Sequence, residues 1–95
     1  MQEIKSQLEE ELADIEWSDL MPHAQRDALI VVNESLNLVD VGVAIASDNV
    51  GVVQNWISQG LIQKPSSEQL GAWNINPNKK FSTLIVQPFV LVTQV

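Results

Sequence analysis

Residues 37–64, NLVDVGVAIASDNVGVVQNWISQGLIQK, constrain this chain most, because their polar and glycine punctuation leaves room only for short elements. Asn37 can accept the backbone N–H that Asp40 leaves free at the start of a helix, and Asp40 suits the positive end of the helix dipole. Ser47, Asp48 and Asn49 form a turn and N-cap cluster from which a second helix starts. In it Val50, Val53, Ile57 and Leu61 recur at three- and four-residue spacing on one face, with Trp56 beside them. Gly60 supplies the left-handed residue that ends helices, and Lys64-Pro65 closes the stretch. The first helix is contested by its own residues. Val39, Val41, Val43 and Ile45 alternate with Asp40, Gly42, Ala44 and Ala46, which is also a strand pattern, and glycine costs about 1 kcal/mol against alanine in a helix.

A valine-rich segment, a polar turn, then Val53, Trp56, Gly60, Leu61 and Ile62 resembles the helix-turn-helix of winged-helix and excisionase-like proteins, where the last three residues open a strand. That resemblance favours helix over strand for Leu38 to Ala46.

A chain of 95 residues is one domain, with enough apolar residues for a modest core. It has no cysteine, which excludes thiolate chemistry, disulfides and cysteine zinc sites and is compatible with a cytoplasmic location. The N-terminus, MQEIKSQLEEEL, is acidic and amphipathic, unlike a secretory signal, and no apolar run is long enough for a membrane-spanning helix. The sequon Asn33-Glu34-Ser35 therefore carries no glycosylation reading. Net charge is −7 and unevenly placed: residues 1–48 carry eleven acids against Lys5 and Arg26, whereas residues 49–95 carry Glu68 against Lys64, Lys79 and Lys80. Such a chain repels nucleic acid and anionic membranes at long range.

In the acidic N-terminal part, residues 1–27, Ile4, Leu8, Leu12 and Ile15 form one stripe that predicts a helix over 2–16, with its glutamates on a solvated face. A second short helical turn is expected over Asp19 to Asp27, capped by Ser18 or Asp19, with Pro22 early where a missing N–H costs least. Asp19, His23 and Asp27 stand at four-residue spacing, so one helical face could gather them as a weak metal site or a tuned base. One histidine with two flexible carboxylates lacks a third strong ligand, and a surface ion-pair ladder with Arg26 is the preferred reading. No nucleophile with a partner and no glycine-rich phosphate loop accompanies them, so no catalytic residue, metal or cofactor is assigned.

Ala28 to Asn33 reads as a buried strand, and Leu61 to Lys64 as a second. Ser66 with Gln69 makes a capping box before a short helix carrying Leu70 and Trp73, and Asn74 to Lys80 is a loop. Phe81 to Val95, FSTLIVQPFVLVTQV, is expected as the longest strand, with Pro88 marking an edge, bulge or bend. Its apolar edge must be covered by helices or paired with a second copy of the chain, and simple burial is favoured. The resulting order matches that of a winged helix: a small α+β domain, helices on a short, mainly antiparallel sheet. Residues 28–64 then hold the strand and helix-turn-helix, and 65–95 a structured wing and the last strand.

Trp17 with LMPHAQRDALIVV, then LNLVDVGVAIASDN, then VQNWISQGLI with Lys64-Pro65, and finally LIVQPFVLV resemble, over nearly the full length, a family of small uncharacterised bacterial proteins recorded as a domain of unknown function. The resemblance implies a family and brings no activity or site residues. The preferred expectation is a non-enzymatic interaction or self-associating module, anchored by Trp17, Trp56 or Trp73, or dimerised at a C-terminal edge carrying Pro88 and Val90. The alternative is DNA binding, with Gln54, Asn55, Ser58 and Gln59 in the major groove and Lys64, Lys79 and Lys80 on phosphate. A recognition helix without a cation, on a chain of −7, weighs against it. An enzyme or metal site around His23 comes third.

Overall fold

A computed structural model describes residues 3–94. Gln2 and Val95, the outer ends of the expected first helix and last strand, lie outside the described residues, as does the Ile4 side chain. The chain runs α1 (Glu3–Glu11), β1 (Ala13–Glu16), α2 (Trp17–Gln25), β2 (Leu29–Val32), α3 (Leu38–Ala46), α4 (Val50–Ser58), β3 (Ile62–Gln63), α5 (Ser67–Ile75), β4 (Lys80–Val86) and β5 (Phe89–Gln94). Among the described residues this is an α+β fold of five helices on one mixed five-stranded sheet, ordered β1-β4-β5-β2-β3. Only β2 with β5 is parallel; the other neighbours are antiparallel.

Strand alternation sends side chains to two separate cores. On one face Val32, Leu84, Val86 and Leu91 meet Leu8 of α1 and Val39 and Val41 of α3, with Val53 and Trp56 of α4 at the margin. On the other, Leu29, Phe81, Val90 and Val92 meet Trp17 and Leu20 of α2 and Trp73 of α5. Trp17, Trp73 and Phe81 pack tilted or edge-on, with ring centroids 4.9–6.0 Å apart, the geometry aromatic quadrupoles prefer. The Trp17 indole N–H is satisfied by Asn74 Oδ1 at 2.8 Å.

The capping chemistry of 37–69 acts as its residue types require. Asn37 Oδ1 accepts from Val39 and Asp40, Asn49 Oδ1 from Val52, and Ser66 with Gln69 forms the reciprocal box. Leu38–Ala46 is helix: its strand-like alternation yields to burial of Leu38, Val39, Val41 and Ala44 against the sheet and α1. Three helices close with one hydrogen-bond pattern, in which a left-handed residue donates three residues back and the next donates five back. Gly60 (φ 74°) ends α4 in this way, while Asp27 (φ 62°) and Asp48 (φ 58°) end α2 and α3.

Several expectations are corrected. The helix expected over 2–16 stops at Glu11, and Ala13–Glu16 instead pairs with Lys80–Thr83 of β4. Helical spacing of Leu8, Leu12 and Ile15 is thus coincidental across a boundary: Leu8 is buried beneath α1, Leu12 is 39% exposed, and Ile15 packs from a strand. α2 begins at Trp17 rather than Asp19 and has no side-chain cap. The Trp17 and Ser18 N–H groups donate to the carbonyls of Lys79 and Pro77 at 2.8 and 3.0 Å, so a distant loop does the capping. Pro22 is therefore the sixth residue of α2, not an early one.

Phe81 to Val95 is a hairpin rather than one strand. The chain reverses at Gln87 and the cis-bonded Pro88, with Val86 opposite Phe89. Nor does its last strand carry a free edge: β5 is central, hydrogen-bonded to β4 and β2, and Val90 is buried under α2 and α5. The short helix expected after Ser66 is α5, whose Trp73 closes the second core, and it runs on through Asn74 and Ile75, where a loop was expected.

Candidate interaction groove

α4 is anchored least. Its residues, VGVVQNWIS, include Val50, Val52, Val53, Trp56 and Ile57, yet none of the nine is buried. Val50 is 52% and Ile57 56% exposed, unusual values for large apolar side chains spaced seven apart on one helical face. α3 buries Leu38, Val39, Val41 and Ala44 by comparison. The cause is geometric. α3 lies on the sheet between α1 and α4, and the sheet ends beside α4 in β3, a strand of two residues that cannot extend beneath the helix.

Between α4 and the sheet an open groove of about 620 Å³ results. Its floor is Ile30 of β2, Ile62 of β3 and Phe89 of β5; its walls are Ala44 and Ile45 of α3 and Val50, Val53 and Ile57 of α4. Polar groups stand at the rim: Asp48 and Asn49 at the α3–α4 turn, Gln54 on α4, and Gln63 and Lys64 after β3. A volume of this size with apolar walls and few polar rim groups is the usual form of a binding site. A second, smaller and more polar hollow of about 240 Å³ lies at the ends of β2 and β5, lined in part by Asn33, Gln69 and Thr93.

The expected interface residues divide. Trp17 (1% exposed), Trp73 and Val90 are core residues. Trp56 is half-buried against the first core, and Pro88 is exposed at the hairpin turn. The expected DNA contacts divide as well, with Gln54 and Lys64 sharing the groove rim and Lys79 and Lys80 apart from them. Gln54, Asn55 and Ser58 of α4 and its C-cap Gln59 are exposed, but Gln59 Nε2 donates to Asn55 Oδ1 at 3.1 Å. Lys64 pairs with Asp27 at 2.5 Å, and Lys79 sits 5.7 Å over the Phe81 ring. Lys79 and Lys80 enter β4, three strand positions from β3 and so about 14 Å across the sheet from the α4 side.

Asp19, His23 and Asp27 are not brought together. Asp27 lies past the end of α2 and turns to Lys64, while Arg26 Nη2 meets His23 Nδ1 at 2.7 Å. Among the described residues no three His, Asp or Glu side chains are grouped to hold a metal ion, and no helix is long and apolar enough to cross a membrane.

Sequence reasoning put Val50, Val53, Ile57 and Leu61 on one helical face; the first three do share a face of α4, none of them is buried, and Leu61 lies past the helix end. The signal that marks them is charge: residues 49–63 contain no Asp, Glu, Lys or Arg, although the chain carries seventeen such residues in all. The groove floor had no local signal, since Ile30, Ile62 and Phe89 come from three separate strands.

The solution structure of PA1075 from Pseudomonas aeruginosa, determined by NMR, is similar to this chain with a TM-score of 0.82 and 28% identity, covering 99% of this chain and 86% of that one. No curated protein matches. A family model described as a protein of unknown function, DUF2288, matches residues 3–94. The chain therefore belongs to the DUF2288 family.

Proposed function

We propose that this protein is a non-enzymatic interaction module whose contact surface is α4 and the groove beneath it. The observation that carries the reading is that α4 holds five large apolar side chains and buries none of its residues. Exposed apolar surface on a small domain is costly in water and is the usual mark of a place where another chain sits. Self-association belongs to the same reading, through α4 rather than through the C-terminal strand, whose neighbours on both sides are already in place. Read instead as the recognition helix of a winged-helix DNA regulator, α4 brings no cation to phosphate, and the nearest lysine, Lys64, is matched by Asp27. That reading is the weaker of the two.

Photo-crosslinking in the cell of origin tests the proposal. A photoreactive residue at position 57 is expected to give a discrete protein adduct, and the same residue at Ser18, on the opposite side of the sheet, is expected to give none. Equal labelling from both positions, or none from position 57, removes the reading.

A further inference from the structure

Apolar character does not choose what lies along α4; the charges around it do. Residues 49–63 carry no charged side chain, so the local field comes from the rim. Lys64 is matched there by the Asp27 carboxylate. Asp48 is in no ion pair among the described residues and leaves the rim net negative. Behind it stands a chain of −7, whose field attracts cations and repels anions over a Debye length of about 10 Å at 0.1 M salt. A second copy brings another −7 to the contact, and duplex DNA brings its phosphates; both approach against this field. We infer that the groove takes an amphipathic helical segment of a partner protein, apolar on the side facing α4 and carrying lysine or arginine beside Asp48. This rests on the reading of α4 as the contact face.

A helix is the form that fits. An added strand needs a row of free backbone groups, but β3 offers two residues before Lys64-Pro65, and Pro65 has no N–H to donate. α4, with nine residues, is about 13 Å long. That is the length over which a partner helix sets out side chains at i, i+3 or i+4, and i+7. Val50 and Ile57 mark the two ends of the seam.

The test is titration calorimetry on the full chain with a synthetic peptide of about 18 residues, long enough to hold a helix, carrying leucine at three- and four-residue spacing and lysine elsewhere. A glutamate-for-lysine peptide and a scrambled leucine–lysine peptide run beside it. The ordered lysine peptide is expected to bind at least about tenfold tighter than either at low salt, and added salt is expected to narrow its lead over the glutamate peptide. Ile57→Ser and Val50→Ser, both at exposed positions and checked for fold by circular dichroism, should each weaken it by about tenfold. Asp48→Asn should narrow the lysine-to-glutamate gap. Equal binding of the glutamate or scrambled peptide overturns the inference, as does binding that neither serine variant moves. A concentration-dependent dimer in light scattering that Ile57→Ser dissolves, with no peptide bound, overturns the cationic partner and keeps the contact face. Failure of all of these, with no adduct from position 57, removes both.

Discussion

At the scale of single residues, the fold depends on a few positions where one atom decides. Gly42 lies in the middle of α3, and a Cβ built there falls 2.7 Å from Leu84 Cδ2, 3.1 Å from Leu8 Cδ1 and 3.2 Å from Val86 Cγ2. Glycine costs the helix about 1 kcal/mol, and its missing side chain is what lets α3 lie close on β4. Gly42→Ala recovers that propensity but must displace a fully buried Leu84, and overpacking of this kind costs about 1–3 kcal/mol. The expected net effect is a loss of about 1 kcal/mol, read as a lower urea midpoint at unchanged m-value. A higher midpoint would show that Leu84 turns aside freely. Caps at this scale were readable because both partners sit within a few residues: Asn37 with Asp40, Ser66 with Gln69, Gly60 after α4. The cap of α2 was not readable, since its acceptors, Pro77 and Lys79, are some sixty residues away.

Elements differ in how firmly the body holds them. α3 is anchored by buried side chains along its length and α4 by none, so α4 opens locally at lower cost. Amide exchange within Val53–Ser58 is expected to be at least about tenfold faster than within the same turns of α3, as measured by NMR under native conditions. Equal protection in the two helices would mean that α4 is held by something other than burial. The same contrast explains the errors of sequence reading at this scale. Ala13–Glu16 continues the helical spacing of Leu8 and becomes a strand only because β4 supplies a ladder, a partner that no local pattern announces. Val50, Val53 and Ile57 have the spacing of a core face, and periodicity reports the face without reporting whether the sheet reaches beneath it.

For the molecule as a whole, a charge of −7 on a body with a 12.9 Å radius of gyration is a source of self-repulsion. Raising ionic strength from about 0.01 to about 0.1 M shortens the screening length from about 30 to about 10 Å, from beyond the molecule's radius to within it. The melting temperature is expected to rise by a few degrees, up to about 1 kcal/mol, in a scan of thermal unfolding against sodium chloride. A fall would mean that ion pairs such as Lys64–Asp27 and Lys5–Asp40 outweigh the repulsion. The amino-acid sequence by itself determined the caps at Asn37, Asn49 and Ser66, the left-handed stop at Gly60, the strand at 29–32 and the uncharged face of α4. All of these follow from capping, turn chemistry and periodicity acting within about one helical turn. Only the tertiary structure decided that 81–94 folds into a central hairpin, that Trp17 and Trp73 share one core with Val90, and that the sheet ends short of α4 to leave a groove. Those outcomes depend on which distant strands pair and how far each extends, and pairing is settled by burial over the whole sheet rather than by any neighbour in the chain.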